Sequence, residues 1–86
     1  MKRTIYIDSI ETKKEGQTGL WYAPVHQNAK YIFDLIEKCN VSCERVDQIN
    51  DQYWCIKIKG KKKNVRTFIT ILTVAVAGLY NVREYG

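Results

Sequence analysis

The chain is poor in the residues that carry chemistry. His26 is the only histidine among 86 residues, so a cysteine-histidine nucleophile would need it beside Cys39, Cys43 or Cys55, which fall in or near different elements. No Cys-x-x-Cys pair occurs, and Cys39 and Cys43 do not combine with His26 in a zinc-binding spacing. The carboxylates Asp34, Glu37, Glu44 and Asp47 are scattered among lysines, as on solvated faces, and form no acid-base pair. No catalytic residue, no metal site and no cofactor is therefore expected, and the chain reads as a non-enzyme.

Other absences bound its setting. Three cysteines are an odd number, which excludes a complete intramolecular disulfide framework and favours a reducing compartment. The first residues meet Asp8 before an apolar core of signal-peptide length can form. The most apolar stretch, residues 68 to 80, is interrupted by Thr70 and Thr73 and falls short of the roughly 20 residues that span a bilayer. A cytoplasmic protein with no membrane association is expected. There is no internal repeat, low-complexity tract or linker, and independent domains rarely fall below about 50 residues. Residues 1–86 therefore read as one α+β domain, with 45% hydrophobic and 27% charged residues placing it in the globular range.

The 14 Lys and Arg against 9 Asp and Glu give a net charge of +5, which favours anionic partners. Its distribution is more informative. Lys57, Lys59, Lys61, Lys62, Lys63 and Arg66 follow one another with no acid between them.

Hydrophobic periodicity divides the chain into elements. Residues 3 to 10 alternate, with Ile5 and Ile7 on one face and Thr4, Tyr6 and Asp8 on the other, the period of a half-buried strand. Residues 11 to 22 carry Gly16 and Gly19 and end in Trp21 and Tyr22, which predicts a long loop or a hairpin turn extending the first strand. In that loop Lys13 and Lys14 lie near the two aromatics; the expected role of Trp21 and Tyr22 is to anchor the loop on the core. After Pro24, Val25, Ala29, Ile32, Phe33, Ile36 and Cys39 recur at helical spacing, predicting a helix over 24–39 that stops at a left-handed Asn40.

Residues 42 to 49 and 52 to 59 predict a hairpin turning at Asn50-Asp51. Its second arm sets Trp54, Ile56 and Ile58 against Tyr53, Cys55, Lys57 and Lys59. The first arm, with Val46 opposite Cys43, Arg45, Asp47 and Ile49, fits an edge strand or a bulge. Val65, Phe68, Ile69, Leu72, Val76 and Leu79 then follow helical spacing up to Gly78. Eight β-branched residues between Val65 and Val76 oppose that helix, but a turnless strand of about 14 residues is rare. Residues 79 to 85 complete the order β-α-β-β-α-β, that of the ferredoxin-like superfold, in which two helices cover one face of an antiparallel sheet.

In that topology the first and third strands lie side by side, and Tyr6, Tyr53, Lys57 and Lys59 fall on the open face. Flat faces that stack bases and cations that follow the backbone are what single-stranded nucleic acid requires. Ile5-Tyr6-Ile7-Asp8-Ser9-Ile10 resembles the first-strand signature of RNA recognition motifs, in which an aromatic between aliphatics stacks a base. On the third strand Tyr53 stands where those domains have an aromatic, while Asp51, Gln52 and Cys55 replace their cation, glycine and second aromatic. The resemblance implies base stacking by Tyr6 and Tyr53 and does not extend to membership.

Lys59 to Asn64 is expected to precede a helix start, where unsatisfied N–H groups and the helix dipole favour an anion. It lacks the spaced glycines of a phosphate-binding loop. The expected function is binding of single-stranded nucleic acid or another polyanion, with Tyr6 and Tyr53 stacking and Lys57, Lys59, Lys61, Lys62, Lys63 and Arg66 contacting phosphates. The alternative is a protein-binding module or inhibitor, self-associating as a homodimer through the open face or docking on a nucleic-acid-handling enzyme, of a kind suited to a phage or mobile element. A third reading, a small-ligand sensor or enzyme, needs a concave site near Trp21.

Overall fold

The computed structural model describes all residues of the chain other than Lys14 and Gln17. Four strands, β1 (Lys2–Ser9), β2 (Ser42–Asn50), β3 (Tyr53–Lys59) and β4 (Tyr80–Tyr85), alternate with the helices α1 (Ala29–Lys38) and α2 (Lys62–Ala75). The sheet order is β2-β3-β1-β4, and every neighbouring pair is antiparallel. This is an α+β fold consistent with the ferredoxin-like arrangement, with β1 and β3 central and β2 and β4 at the edges.

The period-2 pattern of the central strands decides which face is covered. Ile5 and Ile7 of β1 and Trp54, Ile56 and Ile58 of β3 point into one core with Ile32, Leu35 and Ile36 of α1 and Val65, Phe68, Ile69 and Leu72 of α2. Burial of this stripe outweighs the propensity penalty of the β-branched residues in α2. Thr67 and Thr73 fit the helix by donating their hydroxyls to the carbonyls of Lys63 and Ile69, at 2.9 and 2.7 Å.

Several boundaries differ from expectation for local reasons. Residues 24–39 are not one α-helix: Pro24 precedes a 3₁₀ turn, Val25–Asn28, before α1 begins. The Tyr80 hydroxyl donates to the Pro24 carbonyl at 3.0 Å and accepts from the Asn28 amide at 2.7 Å. The end of α1 is as expected. Asn40 has φ +55°, and the Asn40 and Val41 N–H groups bond the Glu37 and Ile36 carbonyls, closing a Schellman motif. The hairpin turns at Asp51-Gln52, because Asn50 remains in β2 and its side-chain oxygen accepts the Gln52 N–H at 2.9 Å. α2 ends at Ala75, three residues before Gly78, with Val76 at its cap, and Gly78 does not adopt a left-handed conformation.

The loop between β1 and the 3₁₀ turn is drawn together as a hairpin by a bridge between Thr12 and Trp21, whose backbone groups exchange hydrogen bonds of 2.7 and 2.6 Å. Trp21 packs against the core, and the Tyr22 hydroxyl donates to Asp51 at 2.8 Å. Trp21 thus anchors the loop on the core as expected, whereas Tyr22 ties it to the hairpin turn at the surface instead; Lys14 lies outside the described residues. Among the described residues no helix is long and apolar enough to cross a membrane.

Candidate functional site

The face of the sheet away from the helices is built by alternate residues of all four strands. Tyr6 of β1 stands opposite Cys55 of β3 on one side and Arg83 of β4 on the other, while Tyr53 stands opposite Asp8 and Tyr85 opposite Thr4. The three tyrosines meet. The Tyr6 and Tyr53 rings are nearly parallel, 15° apart with centroids separated by 5.7 Å, and Tyr85 meets Tyr6 edge-on at 5.3 Å. Both geometries are favourable for aromatic pairs. With Arg83 the three rings bound an open depression of about 240 Å³.

Cys55 is buried although it lies on this face, next to Tyr6. The charge its thiol would carry when ionised, and then a side-chain hydrogen bond between the two groups, push the Tyr6 phenol above its ordinary range; partial desolvation and the neighbouring Tyr53 and Tyr85 act in the same direction. Tyr6 therefore stays neutral at physiological pH and presents an uncharged ring to an incoming group.

One step along the strands, the aromatic cluster gives way to cations. Lys57 stands opposite Thr4 and Arg45, and Lys59 opposite Lys2 and Ser42. Like charges placed directly across a ladder destabilise it. The three acids on or beside this face are already engaged: Asp8 by Arg83 at 3.8 Å, Glu44 by Lys2 at 3.8 Å and Asp47 by Arg45 at 3.0 Å. Among the described residues Lys57 and Lys59 are left with no acidic partner. A depression of about 330 Å³ bordered by Lys2, Thr4, Glu44 and Lys57 lies beside them.

Lys61, Lys62 and Lys63 continue the row beyond the end of β3. Lys61 caps α2 without a side-chain hydrogen bond, Lys62 and Lys63 occupy its first turn, and no acid is present there. This is the arrangement the helix dipole disfavours. Arg66 stands apart from that row. From α2 its Nη1 donates to both carboxylate oxygens of Glu84 of β4, at 2.9 and 3.1 Å, so its charge is paired within the fold. The sequence-derived set is thus brought together for Tyr6, Tyr53, Lys57 and Lys59, extended by Lys61 to Lys63, and separated from Arg66.

Tyr85 and Arg83 were not among the candidates from sequence, although they complete the aromatic cluster. Their signal is the alternation of β4, in which Tyr80 is buried and Val82 packs against the core, leaving Asn81, Arg83 and Tyr85 on the open side. His26 is exposed in the 3₁₀ turn, and the described residues contain no group of His, Cys, Asp and Glu able to hold a metal ion. No protein-family model matches the chain, and no curated protein matches it either.

Proposed function

We propose that the protein is a non-enzymatic binder of single-stranded nucleic acid, acting in the cytoplasm through the open face of its sheet. The observation that carries this reading is the adjacency of a partly exposed tyrosine cluster and a row of lysines that have no acidic partner among the described residues. Tyr6, Tyr53 and Tyr85 offer ring faces to bases, and Lys57, Lys59, Lys61, Lys62 and Lys63 follow the phosphates. A duplex hides its base faces in the stack, whereas a single strand exposes them to aromatic side chains, at about 1–3 kcal/mol per stacked base. Like-charge repulsion along the row, a cost to the free protein, turns into attraction once a polyanion lies across it.

A second copy docked face to face is the main competing occupant. The cation row opposes it, because such a dimer would bring unneutralised lysines of both copies into one interface. A protein inhibitor of nucleic-acid-handling enzymes would use the same basic face against an acidic partner.

Fluorescence anisotropy with labelled single-stranded RNA, single-stranded DNA and duplex DNA tests the proposal. Three to five phosphate contacts predict a log-log salt slope of about −2 to −3.5 on single strands, a loss of about 20- to 130-fold between 50 and 200 mM salt. The Tyr6→Ala/Tyr53→Ala variant should weaken single-strand binding by at least about tenfold. Absence of binding to all three at low salt overturns the reading.

A further inference from the structure

Resting on the proposed single-strand reading, we infer that the depression among Tyr6, Tyr53, Tyr85 and Arg83 is a base-selective pocket, with the Arg83 guanidinium and the Asp8 carboxylate favouring guanine. Arg66 donates from Nη1 to both Glu84 oxygens at 2.9 and 3.1 Å, and Arg45 donates to Asp47 at 3.0 Å. Arg83 differs: its one ionic neighbour among the described residues is Asp8, at 3.8 Å, too far for a hydrogen bond. Its planar array of donors is thus available at the rim of a tyrosine-walled depression.

The paired acid decides what part of a nucleotide belongs there. A phosphate beside Arg83 would also meet the negative charge of Asp8, whereas on the same face Lys57 and Lys59 present cations with no acidic partner among the described residues. Phosphates therefore belong to the lysine row, and the neutral Arg83–Asp8 pair, whose Asp8 lies across the ladder from Tyr53 and beside the depression rather than among the residues that bound it, suits an uncharged base held against the rings. An arginine fork needs two adjacent acceptors, and a carboxylate needs N–H donors beside them. Guanine supplies both along contiguous edges, O6 and N7 for the fork and N1–H and N2–H for the carboxylate. Cytosine offers adjacent acceptors and one amino group. Adenine sets a donor next to its N7 acceptor, and thymine and uracil interleave a donor between acceptors, so each mismatches the fork. Lysine in place of arginine would keep the charge and lose the planar two-point contact.

The experiment is an anisotropy titration of four labelled DNA hexamers, thymidylate throughout except for T, A, C or G at the third position, with the native chain, Arg83→Lys and Asp8→Asn. The native protein should bind the G hexamer about tenfold or more tighter than the T hexamer. In Arg83→Lys the G hexamer should fall to within about twofold of the T hexamer bound by that same variant, and Asp8→Asn should narrow the gap. Circular dichroism of both variants, whose substituted side chains are about half exposed, checks that they fold. Equal binding of all four hexamers, or tighter binding of the A or C hexamer, overturns the guanine assignment and leaves the stacking face standing. Failure to bind any of the four DNA hexamers at low salt overturns the pocket, and together with absence of binding to single-stranded RNA it removes the nucleic-acid reading itself.

Discussion

Replacing Lys59 by glutamate should make the free protein more stable and the bound complex weaker. Lys59 stands directly across the ladder from Lys2, and Lys57 lies two residues away on the same face. A cross-strand charge pair on an exposed face is worth about 0.2–1 kcal/mol in either sense. The exchange both removes a repulsion and creates an attraction, but Lys2 already has a partner in Glu44 at 3.8 Å, which reduces the gain. A net stabilisation of about 0.5–1 kcal/mol is expected, a rise in Tm of about 2–8 °C for a domain of this size. The assay is thermal and urea unfolding of the native chain, Lys59→Ala and Lys59→Glu at low salt and again at about 0.5 M salt, where screening should erase most of the difference. The same variant should lose affinity for single strands, with a salt slope shallower by about 0.7 to 1. A Lys59→Glu protein less stable than Lys59→Ala at low salt would refute the reasoning, since Lys59 would then be supported within the free fold and the row would not be poised for an anion.

Three further outcomes follow from the packing. Val74 is a β-branched residue 75% exposed on α2, so Val74→Ala should raise stability by about 0.5 kcal/mol in urea unfolding, helix propensity being the main term left. Tyr80→Phe keeps the buried ring but leaves the Asn28 amide and the Pro24 carbonyl without their partner; a loss of about 1–2 kcal/mol is expected from the urea midpoint. The phenols of Tyr6, Tyr22 and Tyr80 are all raised above their ordinary value of 10.0, by the Cys55 thiol, by the hydrogen bond to Asp51 and by burial respectively. Because the fold favours their protonated forms, their contribution is intact below about pH 10 and is lost as pH rises through the higher folded values; Tyr6→Phe should lose less stability than the native chain between about pH 9 and pH 11.

The fold and half of the site were legible because β1 and β3 alternate cleanly. Ile5 and Ile7 against Tyr6, and Trp54, Ile56 and Ile58 against Tyr53, Lys57 and Lys59, leave one choice of buried face. β2 was harder: register shifts at Cys43/Arg45 and Gln48/Asn50 put Cys43 opposite inward-facing Ile58 and Arg45 opposite outward-facing Lys57, although the single residue between them would set both on one face of a regular strand. β4 concealed its face differently. Its alternation is apolar-in for Tyr80 and Val82 but reverses chemically at the end, where Glu84 turns to the helix side and Tyr85 outward. The reversal is possible because Arg66 meets Glu84 across 18 residues of sequence, a pairing that no local pattern announces. The same contact removed Arg66 from the basic row to which its sequence neighbours assign it.

The central claim is that one face of the sheet holds the ligand, and a two-dimensional amide NMR titration with an unlabelled single-stranded hexanucleotide tests it most directly. Shifts should concentrate at Tyr6, Tyr53, Arg83, Tyr85, Lys57 and Lys59 and continue to Lys61–Lys63, with the outer surfaces of α1 and α2 unperturbed. Shifts centred on the helices, or a spectrum unchanged at low salt, would contradict it.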